Sequence, residues 1–278
     1  MTMTKQLSIG NVRIGGGAPL ALIAGPCVLE DEAIVLRTAG EVKKISDRLR
    51  VPFIFKASYK KDNRSSASSY QGPGLEAGLR MLEKVRSQFD IPVLSDVHYP
   101  EEVEPAAQVL DIIQIPAYLC MQTELTLKIA RTGKVVNVKK GQFLAPQDVG
   151  HIVKKIEEAG NASILLTERG SCFGYHNLVV DFKALPVMRS FGYPVVFDVT
   201  HTIRKYGKPS SDPAGGSPEF IEPLARAGVA AGCDAIFIET HPSPCQAKCD
   251  AASMLDLAKL ERLLESLVEL DQVARRYA

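Results

Sequence analysis

The stretch LALIAGPCVLEDEAIVLRTAGEVKKISDRLRVPFIF, residues 20–55, holds one complete unit of the fold. Leu20 to Ala24 at its start and Pro52 to Phe55 at its end are short runs, apolar at consecutive positions, as in strands covered on both faces of a parallel sheet. Between them Glu32 to Leu49 carries apolar residues at helical spacing, with charges on the other side. Parallel strands need a long crossover, and an amphipathic helix supplies one.

Six further runs of the same character follow: Pro92 to Leu94, Asp111 to Ile115, Val135 to Val138, Ala162 to Leu166, Pro194 to Phe197 and Asp234 to Ile238. Helical periods are clear at Leu75 to Phe89, Pro146 to Ala159 and Pro218 to Ala231, and at Met254 to Tyr277 after the last run. Eight strand-then-helix units predict an α/β fold closed as a (β/α)8 TIM barrel rather than an open doubly wound sheet. The length of 278 residues suits one such unit, so residues 1–278 are expected to form a single domain. Ahead of the first run, LSIGNVRIGGG (7–17) alternates around Gly10-Asn11, which predicts an N-terminal β-hairpin within 1–17 that caps the barrel bottom. The Gly/Pro/Ser-rich segments Ser65 to Gly74 and Pro209 to Pro218 follow strands and read as loops.

Lys and Arg number 33 against 32 Asp and Glu, for a net charge of +1. That balance argues against a broad basic surface for nucleic acid or lipid headgroups. No apolar run approaches the roughly 18 residues that span a membrane, and MTMTKQLSIGNV lacks the apolar region of a signal peptide. A cytoplasmic protein is expected, with Cys27, Cys120, Cys172, Cys233, Cys245 and Cys249 reduced.

Chemistry in such a barrel collects where the strands end, and each run is followed by a polar candidate. These are Cys27, Lys56, Asp96 with His98, Gln114, Lys139, Arg169, His201 and Glu239. Lys56, Lys61, Lys139 and Arg169 converging on one mouth suit a small polyanion, because phosphate and carboxylate want several charge-assisted hydrogen bonds. Arg64, followed by Ser65, Ser66, Ser68 and Ser69, offers a place for a second phosphate or reads as a solvated loop. Neither GxxxxGK[ST] nor GxGxxG occurs, so the usual nucleotide cradles are unsupported. Cys27, His201, Glu239 and Asp250 form a mixed soft and hard donor set for Fe(II), Zn(II) or Mn(II), with His241 and the Cys245/Cys249 pair as competing ligands. An isolated cysteine after a strand is otherwise ordinary core.

The strings AGPC (24–27), FKAS (55–58), DNRSS (62–66), LSDVH (94–98), IIQIPAYLC (112–120), VNVKKGQFLAP (136–146), TERG (167–170), DVTH (198–201) and IETHPSP (238–244) resemble the 3-deoxy-D-manno-octulosonate 8-phosphate synthase family along nearly the whole chain. The resemblance implies a barrel, usually a homotetramer, that condenses phosphoenolpyruvate with D-arabinose 5-phosphate and water on the route to lipopolysaccharide. By the same resemblance Lys139 and Arg169 hold the phosphate of phosphoenolpyruvate, while Lys56, Ser58 and Lys61 hold its carboxylate end beside Gln114. Asn63, Arg64 and Ser65 receive the sugar phosphate, the last two from a neighbouring subunit, and Asp96 and His98 lie by the reacting carbons. The catalytic set is thus Lys56, Asp96, His98, His201 and Asp250. Cys27 in place of Asn, and CDAAS (249–253) in place of CDGP, imply the metal-dependent branch, with Cys27, His201, Glu239 and Asp250 as ligands and no organic cofactor.

Met121 stands where the family commonly has Arg, DPAGGSPEF (212–220) replaces its usual loop ending, and Lys60 precedes Lys61 where many members have Asp. The nearest rival reading is the related synthase that takes erythrose 4-phosphate, whose members carry a KPRTSP-like stretch in place of KKDNRSS. A Schiff-base aldolase using Lys56 or Lys139 and a sugar-phosphate binder without turnover are rivals of other classes.

Overall fold

A computed structural model describes residues 3–209 and 212–277. The first two residues of the 1–17 segment, Ser210 and Ser211 of the 209–218 loop, and Ala278 lie outside the described residues. Eight parallel strands form the barrel: β1 (Ala21–Gly25), β2 (Phe53–Lys56), β3 (Val93–Asp96), β4 (Ile112–Ile115), β5 (Val135–Lys139), β6 (Ile164–Glu168), β7 (Val195–Asp198) and β8 (Ala235–His241). Each pairs with the next, and β8 pairs with both β7 and β1, which closes the ring. Helices α1 (Glu32–Leu49), α2 (Leu75–Phe89), α3 (Pro100–Val109), α4 (Thr123–Arg131), α5 (Val149–Glu158), α6 (Ala184–Arg189), α7 (Ile221–Ala230) and α8 (Leu260–Arg276) follow the strands in order.

The strands run further than their apolar runs suggested. Polar residues read as strand ends are still in the ladder, with Asp96 opposite Gln114, Lys139 opposite Thr167 and Glu239 opposite Gly25. The period of two explains it: successive side chains alternate between the barrel interior and the helix layer. Phe53, Phe55, Val93, Ile113, Leu166, Phe197 and Ile236 pack outward against the helices. Ile54, Leu94, Ile112, Leu165, Val196 and Phe237 face inward, and two residues further along the same inward columns stand Lys56, Asp96, Gln114, Thr167, Asp198 and Glu239. One end of the barrel is therefore apolar and the other charged.

The apolar end is filled by the hairpin, Leu7–Ile9 paired antiparallel with Val12–Ile14. Leu7, Ile9, Val12 and Ile14 share one buried cluster with Ala21, Ile23, Ile54 and Leu94. The stretch from Met254 to Tyr277 corrects the sequence reading. Leu255–Asp256 adds a short strand beside Thr240 and His241, residues 257–259 make a 3-10 turn, and only then does α8 begin. The Asp256 side chain accepts from Ala258 N and starts that turn, so a local cap interrupts the helical period. Pro146 and Pro218 likewise open 3-10 turns ahead of α5 and α7.

Candidate active site

The charged end opens into a cavity of about 480 Å³ lined by Lys56, Lys61, Asn63, Arg64, Ser65, Asp96, His98, Gln114, Lys139, Arg169, His201 and Asp250 among others. Twelve of the residues expected from the sequence thus meet in one place. Cys27, Ser58 and Glu239 do not line it; they are buried immediately behind. Ser58 donates its hydroxyl to Asp96 Oδ1, so it fixes the carboxylate. Lys61 is the lysine that faces the cavity, whereas Lys60 Nζ lies 4.6 Å from the Tyr99 ring centroid and 3.8 Å from Asp62. Asn63, Arg64 and Ser65 line the cavity of their own chain.

At the base of the site the chain passes from β1 into AGPC. Gly25 has φ +156°, and a Cβ there would stand 2.1 Å from the Lys56 carbonyl oxygen, so only glycine lets the two backbones meet. That approach puts Lys56 Nζ 3.1 Å from the Cys27 carbonyl oxygen and 2.9 Å from Glu239 Oε1. Lys56 and Glu239 are both 1% exposed, and the pair is a buried salt bridge.

A second buried pair joins Lys139 to Asp198, whose Oδ2 also lies 2.8 Å from His201 Nδ1 while Oδ1 accepts from His201 N at 3.1 Å. Burial alone would raise the Asp198 carboxyl, and His201 and Lys139 reverse that and hold it far below the carboxylate range. For Lys139, burial lowers the ammonium more than Asp198 raises it, and Lys56 and Arg169 add to the fall, leaving it at about 8. The lysines therefore carry acids from other strands, which the reading of isolated cations missed. Asp198 was legible all the same: it stands two residues after inward-facing Val196, at the start of DVTH.

Arg169 Nη2 donates to the Tyr206 hydroxyl at 2.8 Å, and its buried Nη1 has no hydrogen-bond partner among the described residues. A buried guanidinium nitrogen in that condition calls for an anion. The Gln114 carboxamide oxygen accepts from Asn137 Nδ2 at 3.0 Å, which leaves the Gln114 NH2 for a ligand. Lys140, next in sequence to Lys139, points the other way and is held by Ser171 Oγ at 2.9 Å and Glu168 at 3.6 Å. Asp96 lies 3.4 Å from His98 Nε2. Burial would raise Asp96, but Lys61, His98 and Lys56 keep it well below the usual range.

The expected metal donors fall in two overlapping groups that share Asp250: His201 with Glu239 and Asp250, and Cys27 with Cys249 and Asp250. His201 Nε2 stands 3.7 Å from Glu239 Oε1 and 3.8 Å from Asp250 Oδ2, while Nδ1 is turned to Asp198. Glu239 Oε2 is buried without a hydrogen-bond partner among the described residues, a costly state for a carboxylate oxygen unless a cation takes it. Imidazole, two carboxylates and sulfur around such an orphan fit a borderline divalent ion. Burial, Cys249 and Asp250 push the Cys27 thiol well above its ordinary value, so only added positive charge would make it a thiolate. Burial would also raise Asp250, but Arg204, which pairs with its Oδ1, and His201 keep it low. The rival ligands separate: Cys245 is exposed, and His241 accepts from Ser243 N at 3.0 Å with its other nitrogen 3.9 Å from Glu30. Asp198, Arg204, Tyr206, Gln142 and Cys249 are the site residues that sequence reasoning missed or left as rivals.

Residues 2–276 match the model of the DAHP synthetase I family. The chain is 55% identical over 273 residues to the 2-dehydro-3-deoxyphosphooctonate aldolase of Trichlorobacter lovleyi, covering 98% of this chain and 100% of that protein. It is 52% identical over 277 residues to the protein of the same name from Desulfosudis oleivorans, covering 99% of each. For the one from Geobacter sulfurreducens the identity is 51% over 273 residues, 98% of this chain and 100% of the relative. On a match that runs the length of the barrel and takes in every strand end described above, the chain belongs to the DAHP synthetase I family.

Proposed function

We propose that this protein joins phosphoenolpyruvate to D-arabinose 5-phosphate with uptake of water, giving 3-deoxy-D-manno-octulosonate 8-phosphate and inorganic phosphate. The observation that carries the reading is one mouth with deep cations, Lys56, Lys61, Lys139 and Arg169, and a rim set, Asn63, Arg64 and Ser65. Two phosphorylated reactants need two such places. The relatives' name specifies an eight-carbon product, the sum of a three-carbon enol phosphate and a five-carbon sugar, which favours arabinose over erythrose phosphate.

In this mechanism Lys139 and Arg169 Nη1 bind the phosphate of phosphoenolpyruvate, and Lys56, Lys61 and the Gln114 NH2 take its carboxylate. Held so, the enol ether presents C3 to the aldehyde carbon of the sugar. The π electrons form the new C–C bond, the aldehyde oxygen takes a proton, and water adds at C2 and gives up a proton. Cleavage of the C2–O bond then releases phosphate. Fixed cations hold the substrates' charges in place and orient both reactants, which is where most of the barrier is removed. Asp96, anchored by Ser58, faces His98, whose buried Nδ1 has no partner among the described residues and can accept a proton. No lysine has to become a nucleophile. Cys27, His201, Glu239 and Asp250 would hold a divalent ion, which supplies Lewis-acid charge to a coordinated oxygen. No described helix is long and apolar enough to cross a membrane. The proposal includes a cytoplasmic homotetramer with shared sites. Exposed Tyr118, Phe143, Phe173 and Tyr175 support packing between copies.

Phosphate release from phosphoenolpyruvate tests the reaction directly. Arabinose 5-phosphate is expected to support it and erythrose 4-phosphate to do so at least about 100-fold less well, a discrimination of the size polar recognition gives. Preference for the four-carbon sugar sinks the assignment, and full activity after chelation sinks the metal.

Lys139 gives a separate expectation. With its ammonium at about 8, the free enzyme loses a phosphate-binding charge as pH rises through that value. The kcat/KM for phosphoenolpyruvate should fall roughly tenfold per pH unit above it, while saturated kcat holds longer because bound phosphate retains the proton. Lys139→Arg removes this limb, since guanidinium stays charged. A parent profile flat well into the alkaline range contradicts the assignment.

A further inference from the structure

Cys27 Sγ and Cys249 Sγ, 222 residues apart in sequence, lie 2.9 Å from one another. Both are buried, in a small cluster with Val28, Ala247 and Met254, yet Cys249 lines the cavity. Arg64 Nη1 stands 2.8 Å from Cys249 Sγ. One sulfur is therefore reachable from the mouth, and the other is in contact behind it. A disulfide needs the sulfurs at about 2.04 Å, so they must close by about 0.9 Å.

We infer that Cys249 and Cys27 form a peroxide-reactive dithiol, a modification site inside the active-site wall. The Cys249 sulfur attacks a hydroperoxide: the O–O bond breaks, an S–O bond forms, and the peroxide is reduced to an alcohol or water after taking up the thiol proton. The Cys27 thiol then attacks the sulfur of this sulfenic acid. An S–S bond forms, the S–O bond breaks, and water departs with the Cys27 proton. The two sulfurs together lose two electrons, which the peroxide receives. A thiol reductant reverses the step. The linkage also removes the Cys27 sulfur from the donor set; this consequence rests on the proposed ligands, whereas the chemistry of the pair does not.

The test uses the full chain carrying Cys172→Ser and Cys245→Ser, since those two cysteines are exposed. Hydrogen peroxide is added to the chelator-treated protein, and peptides are mapped by mass. The expected product is a linked peptide joining residues 27 and 249, lighter by two hydrogens and restored by dithiothreitol. With Cys27→Ser, the sulfenic acid on Cys249 should persist and be captured by dimedone. Free thiols at both positions under these conditions, or overoxidation of Cys249 with no linked peptide, overturn the inference. Zn(II) binding by the linked form is then measured by competition with a chromophoric chelator. A fall of on the order of 100-fold is expected. Linkage with unchanged Zn(II) affinity supports the dithiol and overturns the ligand set.

Discussion

Replacing Glu239 with alanine is expected to lower the unfolding free energy of the metal-free protein by about 3–5 kcal/mol. The melting temperature should drop by roughly 6–20 °C. Lys56 is 1% exposed and has Glu239 as its ion-pair partner at 2.9 Å, so the variant leaves an ammonium in the wall whose remaining hydrogen bond among the described residues is to the Cys27 carbonyl oxygen at 3.1 Å. Lys139 and Arg169 stand in the same wall and oppose a second unpaired charge. Removing one partner of a buried pair is costly because the survivor's desolvation is no longer offset; removing both is not. Lys56→Met combined with Glu239→Leu should therefore recover most of the lost stability while remaining inactive. Denaturant unfolding in chelator measures both variants. A Glu239→Ala protein that unfolds like its parent would show that the pair is not buried as described.

The second large effect is expected from Asp198→Asn. Asp198 is fully buried, and its Oδ2 meets both Lys139 and His201 Nδ1 while its Oδ1 accepts from His201 N, so one carboxylate ties two parts of the site together. With Nδ1 of His201 turned to the carboxylate, Nε2 is directed toward Glu239 and Asp250. Asparagine keeps the size and loses the charge, so divalent-ion affinity should fall by about 10–100-fold. Lys139 loses the anion that opposes its desolvation, so the alkaline limb expected at about 8 should move lower. The KM for phosphoenolpyruvate should rise with it. Titration with Zn(II) and the kcat/KM profile report the two arms separately, and an unchanged result in both would mean that Asp198 is only a packing residue.

Much of the site was legible because a strand has a fixed period. Once Ile54, Leu94, Ile112 and Val196 are read as inward, Lys56, Asp96, Gln114 and Asp198 follow on the same columns two residues later. The hairpin around Gly10-Asn11 was readable for a similar reason, since turn and alternation are local. The final helix was misjudged because amphipathic spacing persists through Leu255–Asp256, where pairing with β8 takes precedence over helical propensity. Arg204 gave no signal. It follows β7 in a loop, and its partner Asp250 lies in another loop after β8.

The sequence by itself therefore determined the barrel, its apolar and charged ends, and the identity of most side chains in the mouth, because alternation and short apolar runs are properties of each segment alone. Only the tertiary structure decided the partnerships: Lys56 with Glu239, Lys139 with Asp198, and Cys27 with Cys249. Those pairs join residues brought together by ring closure and by loops whose paths no local periodicity encodes. Closing β8 against β1 places the barrel's last strand beside its first, and it is around that seam that Lys56 of the neighbouring β2 acquires its acid from β8 and one thiol meets another.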